Sequence, residues 1–271
     1  MRRPAPSTVR WGLLVAILLL WQFVPATGIV PELFLPSLSK TLTVLYHDHQ
    51  TYFAALLVTL YEVAFAMMIA CGAGILAGAL VGGLSLLRNL LLPVFSSLYA
   101  VPVVILYPVF TAWFGVGSES KIAFAGIYAF FPVMLSTAAG IRTIDPQFIL
   151  AARSMGATLP QQITRVIIPA SVPTVFTGLR LGGALTIIGV VVSEMLTSAA
   201  GIGYLVTLNR TILDSPHVFG AVIMILVLSV LFDTLARLVE RRTAVWQTAG
   251  RRERDETREA SDMVAAPASA V

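Results

Sequence analysis

The chain has 271 residues, of which 57% are hydrophobic and 12% charged, and its mean hydropathy is +0.87. One water-soluble core cannot hide that much apolar surface, so a soluble enzyme is excluded and the bilayer is the main solvent. Eighteen basic and fourteen acidic residues leave a net charge of +4, but they form no basic face with interleaved aromatics, which argues against nucleic acid as a partner.

In chain order, residues 1–10 form a short basic N-terminal tail with Arg2, Arg3 and Arg10. The apolar run 11–24 that follows reads either as a signal peptide or as a retained first helix. The small residues after Pro25 make a poor cleavage site, which favours retention. A connection over 25–51 carries the breakers Pro25, Gly28, Pro31 and Pro36, with room for a short amphipathic helix over 38–46. It closes on His47, Asp48 and His49, a solvated connection in preference to a metal site.

Five further apolar segments follow, over 53–84, 90–114, 122–141, 172–196 and 218–239. Each is long enough to cross a hydrocarbon layer roughly 30 Å thick, which makes six spans in an all-α polytopic protein. The second is too long to stand upright, so tilt or an interfacial first turn is expected. Along it Gly74, Gly78 and Gly82 form a stripe on which a neighbouring helix can pack closely, and Cys71, the sole cysteine, reads as a small packing residue. Pro93, Pro102 and Pro108 divide the third span beside Tyr99 and Tyr107, which predicts a bent helix lining a route.

Basic residues avoid translocated connections. With six spans and a cytoplasmic N-terminus, only Lys40, Lys121 and Arg210 fall outside, leaving fifteen of the eighteen within. Both termini are therefore expected in the cytoplasm. Trp246 with Arg241 and Arg242 reads as an interfacial anchor, and the mixed-charge tail 242–271 has no apolar stripe to bury and is expected to be disordered.

The connection between spans four and five is about thirty residues long where a tight turn would suffice, and a long ordered connection is usually a functional one. In RTIDPQFILAARSMGATLPQQITRVIIPAS (142–171), Phe148, Ile149, Ala152 and Met155 recur at helical spacing. Asp145 is the expected N-cap, Pro146 the first helical residue and Gly156 the left-handed stop. A second short helix is predicted from Thr158, with Gln161 at capping-box spacing and Pro160 in its first turn, running to about Pro169. Ala151, Ala152 and Ala157 keep the surface of this helical pair small enough to enter a partner's groove. From the residues alone, docking element and interfacial hairpin stand level.

The stretch LAARSMGATLPQQITRVIIPASVPTVFTGLRL (150–181) resembles the EAA signature of permease subunits of binding-protein-dependent ABC importers, with Ala151, Ala152, Gly156, Ile168 and Pro169 at the expected offsets. AWFGVGSESKIA (112–123), FFPVMLSTAAGIRTIDP (130–146) and VVVSEMLTSAAGIGYLV (190–206) add to the likeness and point to the nitrate/sulfonate/taurine branch; it covers about 52–241. One position departs: Leu150 stands where the signature usually carries glutamate, which puts one polar contact of the loop in question but not its fold.

The resemblance implies a type I ABC importer permease fold in a bacterial inner membrane, spanning it several times. It implies a transmembrane domain over 52–241 with 142–171 as coupling loop, in which Ala151, Ala152, Arg153, Gly156 and Ala157 seat in a cytosolic ATPase dimer. No cofactor belongs to this chain; ATP and Mg would be bound by the partner ATPase, since no phosphate-cradling G-x-x-x-x-G-K-[ST] occurs here. The implied partners are that ATPase, a second permease copy as a homodimer, and an extracytoplasmic solute-binding protein facing 115–120 and 200–216. The implied cargo is a small anion such as a sulfonate, taurine or nitrate.

Charges inside the spans call for a role. Arg180 and Asp233 lie about two turns from the expected cytoplasmic ends and read as snorkelling anchors. Glu62 and Glu194 either face the pathway or pair with a polar neighbour, and with Ser193, Tyr99 and Tyr107 they are the pathway or gate candidates. The motifs of a membrane-embedded enzyme are missing from the sequence. An ion-gradient-driven secondary transporter is the alternative, but the two halves show no internal repeat.

Overall fold

The computed structural model describes residues 6–243, and every described element is a helix. The helices are α1 (Pro6–Phe23), α2 (Leu38–His47), α3 (His49–Gly83), α4 (Ser85–Tyr99), α5 (Tyr107–Phe114), α6 (Ser118–Arg142), α7 (Pro146–Ser154), α8 (Leu159–Gln162), α9 (Ile168–Leu196), α10 (Ile202–Thr211) and α11 (Ser215–Thr243). Arg2, Arg3, Trp246 and the tail beyond 243 lie outside the described residues.

The core is the contact of α3 with α6 and of α6 with α9. On α3 the predicted stripe meets α6 in register: Gly74 lies against Phe130 and Val133, Gly78 against Met134 and Thr137, Gly82 against Ala138 and Ile141. At Gly78 a Cβ would stand 2.5 Å from the Met134 carbonyl oxygen and 2.6 Å from Thr137 Cβ, so only glycine permits this approach. Both sets of numbers rise together, so α3 and α6 run parallel. In contrast, Gly140 of α6 meets Ser171 and Thr174 of α9, while Gly126 and its neighbours lie toward the far end, where Gly189 meets Ala125; α9 is antiparallel to α6.

Two parallel neighbours require the chain between them to return across the bundle, and α4 and α5 do so. Contacts with α6 fall from Phe130 (Phe95, ring centroids 6.1 Å) to Phe124 (Tyr107, 5.2 Å) as the chain proceeds. The third span is thus a single crossing, bent by 83° between α4 and α5. Its break falls at Pro102, which lacks the N–H that would continue the helix; just before it Ala100 and Val101 turn back to the carbonyls of Ser97 and Leu98. Pro93 stays inside α4, and Pro108 sits in the first turn of α5.

Among the described residues, four helices are long and apolar enough to cross a membrane alone, and the bent pair makes a fifth. The first expected span, α1, is shorter; Trp21 ties its end to the Pro36 carbonyl oxygen at 3.0 Å and to the Phe219 ring of α11. α3, at 35 residues, is about 52 Å long at 1.5 Å per residue, well beyond the hydrocarbon thickness.

A sequence expectation about the 142–171 connection is corrected. The second helix of the 142–171 connection does not end at Pro169: α8 runs through a π-helical segment, Ile163–Ile167, straight into α9, giving one helix over Leu159–Leu196. Pro169 has no N–H and its ring would crowd the carbonyl four residues back; the wider π turn, with Ile168 N–H on the Ile163 oxygen, absorbs the misfit where a break was expected.

Candidate functional site

At the end of the bundle where α6 finishes and α9 begins, α7 and α8 form a capped hairpin. Asp145 Oδ1 accepts the Gln147 N–H at 2.9 Å, fixing the start of α7 with Pro146 behind it. Gly156 has φ +77°, the left-handed turn between the two helices, and a Cβ there would meet nothing within 4 Å. Thr158 opens α8 with a capping box in which its N–H donates to Gln161 Oε1 at 2.8 Å. Gln162 locks the two halves: its Nε2 donates to the Ala157 carbonyl oxygen at 2.9 Å and its Oε1 accepts from Arg153 Nε at 3.3 Å.

Ala152 is buried in this lock while Ala151, Arg153 and Gly156 are exposed and Ala157 half-buried. Phe148, Leu150, Met155 and Leu159 stand out with exposures of 58%, 64%, 81% and 66%. A rigid knob that shows four large apolar side chains is built to be covered. Leu150, at the position of the usual glutamate, belongs to that apolar surface. Pro160 stands exposed in the first turn of α8, and Ile168 and Pro169 lie where the π segment joins α9.

At the opposite end, two carboxylates are wholly buried. Glu62 of α3 pairs with Lys121 Nζ of α6 at 2.5 Å and accepts from Ser118 Oγ at 2.8 Å. Lys121 was placed by sequence in an outer connection; here it is 3% exposed and donates to Ser198 Oγ at 3.0 Å. Glu194 of α9 accepts the Thr59 hydroxyl at 2.8 Å and the Gly203 N–H at 2.7 Å, and Thr59 Oγ1 in turn accepts the Ile202 N–H at 3.0 Å. The first N–H groups of α10 are thereby capped by a carboxylate and a hydroxyl, where the helix dipole favours negative charge. Tyr107 O–H donates to the Thr197 carbonyl oxygen at 3.1 Å, and Ser193 Oγ to that of Val190 at 2.7 Å. Of the five pathway or gate candidates Glu62, Tyr107, Ser193 and Glu194 are buried within the subunit, and Tyr99 alone is exposed. Tyr107 and Lys121 hold the 197–201 connection directly, through Thr197 and Ser198, while Glu62 fixes Lys121, Glu194 caps the helix that follows and Ser193 bonds within α9.

On the same end, Asp48 is engaged by His217 Nε2 at 2.9 Å, and the other ring nitrogen faces Asp214 Oδ2 at 2.8 Å. Among the described residues no trio of His, Cys, Asp and Glu side chains is arranged to hold a metal.

Arg180 and Asp233 find each other across α9 and α11: Arg180 Nε and Nη2 lie 2.7 Å from Asp233 Oδ1, and Arg237 binds Asp233 Oδ2. The Arg180 side chain also reaches toward Glu240 near the end of α11, with Nη1 3.8 Å from Glu240 Oε2. Arg180 lies between Gly178, level with Pro132 and Ser136, and Gly182, level with Ala129 and Val133, within about one turn of the midpoint of α6.

This architecture defines a class: a polytopic helical membrane subunit with a capped hairpin at one end of its bundle. The binding-protein-dependent transport system inner membrane component family matches residues 70–245, and the chain belongs to it. It is similar to SsuC of Bacillus subtilis (strain 168), named for aliphatic sulfonates transport, with 30% identity over 256 residues, 91% of this chain and 92% of that one. It is also similar to the taurine transport system permease protein TauC of Escherichia coli (strain K12), with 29% identity over 247 residues, 88% and 90% of the two chains. Among solved structures, an amino acid ABC transporter matches with TM-score 0.60 and 20% identity, covering 74% of this chain and 97% of that chain; that likeness shows the fold. The protein is therefore a multi-pass membrane permease subunit of an ABC importer with the type I fold, and ATP hydrolysis belongs to a separate ATPase subunit.

Proposed function

We propose that two copies of this chain enclose a pathway for a small anion of the sulfonate or taurine kind, delivered by an extracytoplasmic solute-binding protein. The hairpin over 142–171 lies in the cytoplasm, as do both chain ends, and seats in an ATPase dimer that binds ATP and Mg. The observation that carries this reading is the unbroken helix from Leu159 to Leu196: a push on the knob moves α9 over its whole length, whereas a flexible loop would absorb it. The names of the relatives support the cargo, and the excess of arginines at the hairpin end supports the orientation.

In this account Ala151, Arg153, Gly156 and Ala157 meet the ATPase, and Ala152 holds the knob's shape beneath them. Glu62, Tyr107, Ser193 and Glu194 form the outer gate, Tyr107 gripping the 197–201 connection, Glu62 acting through Lys121, Glu194 capping the helix that follows and Ser193 set beside them in α9, and Tyr99, beside the break in the third span, faces the route. The solute-binding protein docks on the outer side at 115–120 and 200–216, where Val116, Ile212 and Leu213 are each 65–66% exposed.

The test is uptake of labelled taurine into proteoliposomes holding the permease with its ATPase. Uptake is expected to require ATP on the knob side and the binding protein on the other. Uptake that survives an inactivated ATPase and collapses with the proton gradient would instead mark a gradient-driven carrier.

A further inference from the structure

Between α9 and α11 lies an open groove of about 530 Å³. Its α9 wall is the exposed stripe Thr177, Leu181, Ala184 and Ile188, one helical face. Phe232 closes the other side, and the Arg180–Asp233 pair stands at its edge. The side chains of that pair are 40% and 33% exposed, with Asp233 about two turns inside the hairpin-side end of the span Ser215–Glu240. Hydrocarbon does not accept half-exposed charges there, and Asp233, short and held by Arg180 and Arg237, cannot reach an interface. The groove therefore opens on water or on a polar occupant.

Resting on the reading of this chain as an anion permease, we propose that the groove is a binding site for an alkanesulfonate on its way through the membrane. Arg180 receives the sulfonate head and Leu181, Ala184, Ile188 and Phe232 receive the alkyl tail. Arginine has five N–H donors. Nε and Nη2 are engaged by Asp233, while Nη1 makes only a longer ion pair, 3.8 Å from Glu240 Oε2, and no hydrogen bond to it. The Nη1 donors are directed by a guanidinium whose plane Asp233 fixes, which suits a sulfonate with three acceptor oxygens. Asp233 is a positioning residue. An apolar wall beside one guanidinium fits an amphiphilic anion and adds nothing for nitrate, so the site selects sulfonates that carry a carbon chain.

The probe is a pair of thiol reagents of matched length, 2-sulfonatoethyl methanethiosulfonate and its 2-(trimethylammonium)ethyl counterpart. They are applied to the assembled transporter carrying Ala184→Cys with Cys71→Ser. The sulfonate reagent is expected to react at least tenfold faster than the ammonium reagent, relative to their rates with a free thiol, and butane-1-sulfonate to slow it severalfold. Arg180→Gln is expected to abolish the preference; should that variant not assemble, Arg180→Lys should assemble and keep a weaker one. Failure of both reagents to react would show the groove covered by lipid or protein, and reaction without charge preference or protection would show a wet groove with no sulfonate site. Either result overturns the proposal. If ATP-dependent taurine uptake persists alongside such a result, the site assignment alone falls and the permease reading stands.

Discussion

Among single residues, Lys121 is a buried charge whose removal should be felt in stability. It is the buried counter-ion of Glu62, and removing one partner of a buried pair leaves a charge that the interior cannot solvate, at about 3–5 kcal/mol. Lys121→Met is expected to lower the Tm of the purified permease sharply, and Lys121→Met combined with Glu62→Leu to recover most of the loss. Equal Tm values for the single and double variants would mean the pair carries no such strain. Gly156 poses a different kind of constraint, because its φ of +77° is costly for a side chain while the space around it is empty. The defect of a substitution there is conformational, about 1–2 kcal/mol for an L-residue in the left-handed region. Gly156→Val is therefore expected to raise the ATP hydrolysed per solute transported, and Gly156→Asn, which tolerates that region, to stay near wild type. Similar coupling in both variants would remove the turn from the mechanism.

Between elements, the closest approach is that of α3 and α6. Gly78→Leu would drive a side chain into the Met134 carbonyl and Thr137, an overpacking that costs about 1–3 kcal/mol or more. The expected outcome is a lowered Tm and loss of monodisperse protein, whereas Gly72→Leu, with nothing within 4 Å of its Cβ, should leave both unchanged; equal effects would contradict the packing described. Much of this scale was legible in the sequence. The prolines of the third span and the Asp145, Gly156 and Thr158 signals act through their own neighbours along the chain, and the glycine stripe, though it packs on distant α6, shows itself as a four-residue repeat, so local pattern reveals them. What escaped notice depends on distant partners. Lys121 looked like a loop residue because Glu62 lies 59 positions away on a parallel helix. Pro169 looked like a stop because a π turn leaves no mark in composition. The depth of Arg180 became visible only once α9 was set in register with α6.

Across the whole molecule, the two ends of the bundle have different construction. One carries the capped hairpin with its exposed apolar knob; the other ties its connections together with buried carboxylates and a lysine. The helix from Leu159 to Leu196 spans both, bearing Gln162 of the hairpin lock near one end and Glu194 of the α10 cap near the other. In the proposed mechanism, force applied by the ATPase at the knob reaches the 197–201 connection through this one element. The most direct measurement places a cysteine at Ala151, with Cys71→Ser, in the complex assembled with an ATPase carrying single cysteines along its docking groove, and follows disulfide formation with and without ATP. The account expects cross-links to the ATPase that change on ATP binding, and labelling of the free permease at this site from the cytoplasmic side. An absence of cross-links at every groove position, or labelling from the outer side, would contradict it.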